Sequence, residues 1–224
     1  LIPASLHPVV REDLHTIATL PLPWKNLQDK VVMITGGNGF LASFLAKSIL
    51  TANRFHKLNC HIICIVRNDS AALSKFIEWQ DDPSLSIYRQ DISHDLPKTF
   101  PIANFYIHAA SQASPKYYGL DPVGTLSANS IGTQNLLRHA HTSRAEKFLF
   151  FSSAEVYGQP IDPNLPIAET SYGFLDPMDS RSCYAESKRI GENMCVSWSK
   201  QFKLNTSVVR PFHTYGPGMS LDDG

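Results

Sequence analysis

From residue 30 onward the chain alternates between two hydrophobic patterns. Short apolar runs rich in β-branched residues occupy 31–34, 62–66, 85–88, 105–107, 148–151 and 207–209. Between them, apolar positions recur at helical spacing over 40–50, 72–79, 126–139 and 184–202. Runs that are continuously apolar, instead of strictly alternating, belong to strands buried on both faces, the situation of a parallel sheet covered by helices. The pattern therefore predicts an α/β fold with a doubly wound parallel sheet over residues 30–210. Residues 1–29 read as an N-terminal arm. Within it Val10, Leu14, Ile17 and Leu20 are spaced for a short amphipathic helix over 9–20. The Pro-containing stretch 159–177 reads as a long surface loop, a kind of segment that often carries function.

Composition narrows the function classes. Twenty Lys and Arg balance twenty Asp and Glu, so no global field favours nucleic acid or an anionic membrane surface. Any anion must be held locally. Cys60, Cys64, Cys183 and Cys195 show no CxxC pairing, which argues against a zinc site or a disulfide framework and for buried, reduced thiols. The His residues lack metal-binding spacing, so no metal is expected. No apolar run approaches the length of about 20 residues that spans a bilayer, and a cytoplasmic location is expected. The chain opens on Leu1 instead of Met and is expected to be part of a longer protein.

The first predicted strand runs into Thr35-Gly36-Gly37-Asn38-Gly39-Phe40-Leu41-Ala42, after which the helical pattern begins. A pyrophosphate can rest on the free amides of a helix N-terminus only where the preceding backbone turns tightly and bears no obstructing side chains. Gly36 and Gly39 meet that need, Phe40 and Leu41 open the helix, and Ala42 is small enough to pack against the strand. A ligand-free turn uses the same residues, so the cluster alone is weak evidence. The second predicted strand ends at Arg67, where NAD-specific domains usually carry an acid for the ribose 2′-hydroxyl. A guanidinium there favours a 2′-phosphate and hence NADP, although an Arg stacked on adenine serves either cofactor.

Tyr184-Ala185-Glu186-Ser187-Lys188 opens the last helical pattern, and a spacing of four puts phenol and ammonium on one face. Tyrosine ionises near pH 10, so a base built on it needs a positive charge and a hydrogen-bond donor. Lys188 supplies the charge in this reading. Ser153 and Glu155 follow the strand at 148–151, at the carboxyl edge where open α/β sheets bind ligands.

Together these motifs resemble the extended short-chain dehydrogenases of the nucleotide-sugar epimerase, dehydratase and decarboxylase group. The resemblance rests on residues 35–42, His108-Ala109-Ala110, Asn129 with Gly132-Thr133, residues 153–158, Tyr184 to Lys188 and Arg210-Pro211-Phe212, in the family's order. It implies NAD or NADP as a tightly bound cofactor, with Asp91 and Ile92 at the adenine and Ala109 and Ala110 along the cofactor. It also implies Tyr184 and Lys188 at the ribose and nicotinamide, and Ser111, Tyr118, Asn129 and His213 as substrate contacts. Residues 211–224 become the start of a truncated substrate-binding region, and a homodimer is implied. The Ile65-Val66-Arg67 wording is similar to GDP-mannose dehydratases, which use NADP. The closest wording overall is that of UDP-glucuronate decarboxylases: Ser111-Gln112-Ala113-Ser114-Pro115 with Tyr118, Arg181-Ser182-Cys183-Tyr184, residues 192–195, and Tyr215-Gly216-Pro217-Gly218-Met219 running on to Asp222-Asp223-Gly224.

Two departures bear on the reaction. His213 stands where the family has a substrate-contacting Asn, and Ser153-Ala154-Glu155 replaces Thr-Asp-Glu or Thr-Ser-Glu. Dehydration needs an acid to protonate the leaving 6-hydroxyl, and the methyl of Ala154 cannot act as one. Decarboxylation asks less: once C4 of a uronic acid is oxidised, its carboxylate is β to a ketone. Epimerisation at C4 also tolerates Ala154, but it has no use for Glu155. The expected activity is decarboxylation of a nucleotide-linked uronic acid. A 4-epimerase or 4-oxidase comes next, then a 4,6-dehydratase; a cofactor-binding sensor is the non-enzymatic alternative.

Overall fold

The computed structural model describes residues 2–159 and 166–219. The predicted loop at 159–177 therefore falls partly outside the described residues, and the Asp222-Asp223-Gly224 run wholly so. Six parallel strands form one sheet: β1 (Val31–Thr35), β2 (His61–Val66), β3 (Leu85–Arg89), β4 (Phe105–His108), β5 (Lys147–Phe151) and β6 (Thr206–Val209), in the order β3-β2-β1-β4-β5-β6. This is the doubly wound α/β fold that the apolar runs predict, with strand positions agreeing to within a residue or two.

Alternation along the strands sorts the core into two layers, because successive side chains point to opposite faces. Val32, Ile34, Ile62 and Cys64 face one layer with Leu14, Ala46, Leu50, Phe76 and Trp79. Met33, Ile63 and Ile65 face the other with Leu136, Leu137, Phe148, Phe150 and Cys195. All four thiols are free and buried. Burial pushes those of Cys64 and Cys195 up to about 12, which keeps them protonated.

The first layer is formed by α1 (Pro8–Thr19) and α2 (Phe40–His56). Pro8 sits at the start of α1, where its missing N–H costs nothing, and the His7 ring accepts from the Val9 amide at 3.3 Å. Leu14 and Ala18 bury its inner face. Ala42, Ala46, Ile49 and Leu50 form the inner stripe of α2, which ends at Lys57 in the left-handed conformation (φ 55°).

The helices depart from expectation in three places, each for a local reason. The run at 72–79 begins earlier, as α3 (Asp69–Lys75), because the Asn68 side chain caps it by accepting from the Ala71 amide. It then tightens into a 3-10 turn over Ile77–Trp79, which lets Phe76 and Trp79, each 1% exposed, both enter the core. The run at 126–139 is two helices, α5 (Pro122–Asn129) and α6 (Ile131–Thr142), broken at Ser130 (φ −104°, ψ −69°). A further short helix, α4 (Pro115–Leu120), precedes them. Ser114-Pro115 and Asp121-Pro122 are both cap-then-proline starts, a signal that apolar spacing alone passes over. The last helix, α7 (Cys183–Phe202), begins one residue before the predicted run.

The sheet winds from β1 outward to β3, then returns to β4 on the other side of β1. The carboxyl ends of β1 and β4 therefore diverge at the reversal of strand order, and a crevice opens between them. Thr35 lies level with Ile65 on one side and His108 on the other. Among the described residues, no helix is long and apolar enough to cross a membrane.

Candidate active site

A cavity of about 380 Å³ occupies this crevice. Its lining includes Thr35, Gly36, Gly39, Arg67, Asp91, Ile92, Ala109, Ala110 and Ser111. Gly36 adopts φ +69°, and a Cβ there would lie 2.8 Å from the Ala110 Cα, so backbone meets backbone where β1 and β4 part. A Cβ on Gly37 would fall 2.5 Å from that of Cys64. Gly39 caps α2 without a side chain and leaves the helix start uncovered. Phe40 and Leu41 supply its first backbone turn, with the Phe40 ring beside Gly216.

The opposite wall is equally specified. Asp91 Oδ1 accepts from the Ser93 amide at 2.9 Å and hydroxyl at 2.6 Å. Burial raises its pKa, but these bonds and the charges of Arg67 and His94 outweigh that and hold it below the usual carboxylate range. Ile92 is buried, and its carbonyl accepts from Asn135 Nδ2 at 3.0 Å. Gln112 Nε2 donates to Asp121 Oδ2 at 3.0 Å on the same wall, a pair the sequence reading missed. Ser111 Oγ is buried with no partner among the described residues. An orphaned hydroxyl, a tight glycine turn and an uncapped helix start are what a dinucleotide with a pyrophosphate would satisfy, so the residues present fit a nicotinamide cofactor.

One strand over, β5 pairs with β4 so that Phe150 lies level with His108. Ser153 thus leaves the sheet beside Ser111, at the same edge. Its Oγ accepts from the Glu155 amide at 3.2 Å, closing a 3-10 turn over Ala154–Tyr157. That turn is held from outside. Arg189 donates to the carbonyls of Val156 (2.8 Å) and Gly173 (2.7 Å). Arg210 forms a two-pronged pair with Glu192 (2.8 and 2.6 Å) while its guanidinium lies over the Tyr157 ring. Arg189 and Glu192 are three apart on α7, a spacing that places them on one helix face without revealing this target.

Tyr184, 6% exposed, stands in the first turn of α7. Burial raises its pKa; a hydrogen bond with Ser153 works the other way, and the Glu155 charge adds to the rise. Lys188 is 2% exposed and its Nζ donates to the Phe151 carbonyl at 2.6 Å. It lies 5.7 Å from the centre of the Tyr184 ring. Burial lowers the Lys188 pKa to about 7. Lys188 was expected to supply the charge beside Tyr184 and Ser153 the hydrogen-bonding partner; in this arrangement burial dominates the pKa of both Tyr184 and Lys188, and Ser153 works against it at the phenol.

Two expected substrate contacts also change character. Tyr118 is 3% exposed; its hydroxyl donates to the Ala113 carbonyl at 2.6 Å and its ring stacks on Tyr184, centroids 4.8 Å apart. It covers the Tyr184 ring, and its hydroxyl is engaged by the backbone. Asn129 has no exposed surface, and its Nδ2 donates to Ser187 Oγ at 3.1 Å. The helix break at Ser130 turns it inward, where it braces α7. Glu155 stays 44% exposed, 3.5 Å from the Arg181 guanidinium, which in turn lies over the Tyr118 ring. His213 is exposed on the segment after β6 and is not part of the cavity wall.

Comparison with known proteins agrees with this geometry. Residues 32–223 match the model of the NAD dependent epimerase/dehydratase family. The UDP-glucuronic acid decarboxylase 1 of Xenopus tropicalis is 34% identical over 197 residues, covering 87% of this chain and 44% of the relative. UDP-glucuronic acid decarboxylase 6 of Arabidopsis thaliana is 31% identical over 209 residues, covering 92% and 58%. The chain thus spans about half the length of the curated relatives it matches. Among solved structures, a UDP-glucuronic acid 4-epimerase from Bacillus cereus in complex with NAD superposes with a TM-score of 0.70 at 23% identity, over 86% of this chain and 60% of that one. A UDP-N-acetylglucosamine 4-epimerase from Methanobrevibacter ruminantium M1 gives 0.71 at 25% identity, over 86% and 58%. With the glycine turn, the crevice and the Ser153, Tyr184 and Lys188 set in place, the chain belongs to the NAD-dependent epimerase/dehydratase family.

Proposed function

We propose that this chain is the cofactor-binding part of an enzyme that oxidises a nucleotide-linked sugar at C4, and that its net reaction is decarboxylation of a UDP-linked uronic acid. The observation that carries the oxidation is the buried Tyr184 in the first turn of α7, with Lys188 Nζ 5.7 Å from its ring centre and Ser153 leaving the adjoining sheet edge as a favourable influence on the phenol. Ser153 orients the sugar hydroxyl, Tyr184 takes its proton, and the Lys188 ammonium stabilises the phenolate. A nicotinamide held by the glycine turn would supply both the hydride acceptor and, once reduced, the hydride donor, so no outside reductant would be consumed. Decarboxylation is favoured over dehydration because Ala154 offers no acid, and over epimerisation because Glu155 stands at the site. The curated relatives' names point the same way. Residues from 211 onward begin a substrate-binding region in this reading. UDP-glucuronate incubated with the full-length protein and NAD is expected to yield a product lighter by one carbon dioxide in mass spectrometry. A product of unchanged mass would instead support a 4-epimerase.

NAD is the proposed cofactor in preference to NADP. Arg67 faces Asp91 and Asp121, whose carboxylates its charge helps hold ionised. A 2′-phosphate approaching Arg67 would meet both of them. NADH is expected to bind at least about tenfold more tightly than NADPH, a gap of about 1.4 kcal/mol, in fluorescence titration. Tighter NADPH binding would restore the reading of Arg67 as a phosphate clamp.

A homodimer through α5 and α7 is also proposed. These helices pack side by side and leave Val123, Leu126 and Ile190 exposed, apolar surface suited to a second copy. Sedimentation equilibrium is expected to give twice the chain mass, and Leu126→Asp to return it to a monomer. A wild-type monomer at micromolar concentration would remove this proposal.

A further inference from the structure

A chain of buried hydrogen bonds runs from the cofactor crevice to the catalytic helix, and His108 sits at its centre. At the crevice, the Ala110 amide donates to Thr35 Oγ1 at 3.1 Å. Thr35 Oγ1 lies 2.8 Å from His108 Nδ1, and His108 Nε2 lies 3.0 Å from Thr133 Oγ1. The Thr133 hydroxyl donates to the Asn129 carbonyl at 2.5 Å. Asn129 Nδ2 donates to Ser187 Oγ at 3.1 Å, and the Ser187 hydroxyl donates to the Tyr184 carbonyl at 2.9 Å. Thr35, His108, Asn129, Thr133 and Ser187 are each no more than 1% exposed. The path joins β1, β4, α6, α5 and α7 in turn.

Counting protons along the path settles the tautomer of the ring. The single hydroxyl proton of Thr133 is committed to Asn129, so Thr133 offers Nε2 a lone pair and Nε2 must carry a hydrogen. The neutral ring then has a bare Nδ1, which accepts the Thr35 hydroxyl proton. That leaves a Thr35 lone pair for the Ala110 amide. Every member except Asn129 Oδ1, which has no partner among the described residues, is satisfied in this assignment. The opposite tautomer sets two lone pairs against each other at Nε2 unless Thr133 releases Asn129, and each further unmet member of a buried network is costly. An imidazolium would set a second cation near the buried Lys188. Burial, with that Lys188 charge second, holds the His108 pKa down to about 3, while the Ala128 carbonyl works in the other direction.

We propose that His108, held as the neutral Nε2–H tautomer, is a positioning residue that ties the strand ends around the cofactor crevice to the first turn of α7 and so sets where Tyr184 stands relative to the cofactor. This rests on the reading of Tyr184 as the oxidising residue. A ring that only filled space between Phe148 and Phe150, its aromatic neighbours, would be replaceable by an apolar ring. A positioning ring would not, because hydride and proton transfer depend on placement to within about 1 Å, and a slip of that size can cost about 100-fold in rate.

The test compares His108→Phe, which keeps the ring and removes both contacts, with His108→Gln, whose amide nitrogen can replace the donor to Thr133. The Phe variant is expected to lose on the order of 10- to 100-fold in kcat, with KM and NADH affinity each within about threefold of wild type. The Gln variant is expected to recover most of the loss. If the Phe variant does not fold, Thr133→Val removes the Nε2 partner, together with the bond to the Asn129 carbonyl, and carries the same kinetic test. Nitrogen NMR of histidine-labelled wild-type protein with NAD is expected to show one bare and one protonated ring nitrogen for His108, unchanged from about pH 5 to about 9. An Nδ1–H tautomer, a ring titrating within that range, or a Phe variant with wild-type kcat overturns the proposal. Absence of turnover in the wild-type protein would instead count against the function of Tyr184; the NMR result then decides the tautomer and network by themselves.

Discussion

Replacing Tyr184 by Phe is expected to lower turnover of the nucleotide sugar by about 1,000-fold, the middle of the range for loss of a positioned proton acceptor. The fold should tolerate the change. Only the hydroxyl is removed, while the ring that stacks on Tyr118 and packs with Cys183 is kept. NADH affinity should stay within about tenfold, since at most one hydrogen bond to the cofactor is lost. The pairing of these results carries the meaning. Retained binding with lost turnover marks the phenol as the group that moves the proton, whereas unchanged turnover would show that oxidation is not performed there. If the protein were a cofactor-dependent sensor, its response to NADH would survive the substitution intact.

Lys188→Met is expected to abolish turnover, with a loss of at least about 100-fold, and at the same time to raise stability. Burial lowers the Lys188 pKa from 10.5 to about 7, so the folded chain holds this proton less tightly than the unfolded one. Between those values the unfolded state binds more protons, and stability rises with pH through that window. Below about 7 the lysine is charged in both states and the full cost of burying the ammonium is present. An apolar side chain of similar length removes that cost, offset by loss of the bond to the Phe151 carbonyl. The net gain is expected on the order of 2 kcal/mol near pH 6 and should shrink as pH rises. Thermal melts of the two proteins across this range are the measurement. A Met variant that melts lower than wild type near pH 6 would show that Lys188 stabilises the fold and that its charge is better solvated than its burial indicates.

The combination of a stabilising change with lost activity has a physical basis. In the proposed chemistry a proton moves between a phenol and a sugar hydroxyl, and a positive charge in a low-dielectric site acts on it more strongly than in water. Ser153 is placed for the same event, by the Ala154–Tyr157 turn and by the grip of Arg189 and Arg210 on it. Those two arginines touch no substrate in the proposed chemistry; they hold the backbone that carries Ser153.

Local patterns were enough for most of the fold. Continuous β-branched runs identified the six strands, since a strand covered on both faces has no polar side to display. The glycine turn and the Tyr184 to Lys188 spacing were equally plain, because each depends on residues adjacent in the chain or one helical turn apart. The helix break at Ser130 was not legible from apolar spacing. Leu126, Leu136 and Leu137 keep a helical rhythm through it, and the change in direction is expressed only in how α5 meets α7 and α6 meets the sheet. For that reason the packing of Asn129 against α7 was not legible, nor was that of Tyr118, because nothing near it in sequence says that Tyr184 lies beneath its ring.

By itself, then, the sequence determined the architecture, the position of the glycine turn and the placing of Tyr184 and Lys188 on one helix face, all of which follow from short-range periodicity, backbone freedom and side-chain chemistry. Only the tertiary structure decided the electrostatics. Arg67 acquires Asp91 and Asp121 as neighbours, Lys188 loses its solvent, and His108 gains Thr35 and Thr133 on its two nitrogens. A charge or a proton responds to whatever the fold brings within a few ångströms, and those neighbours come from distant parts of the chain.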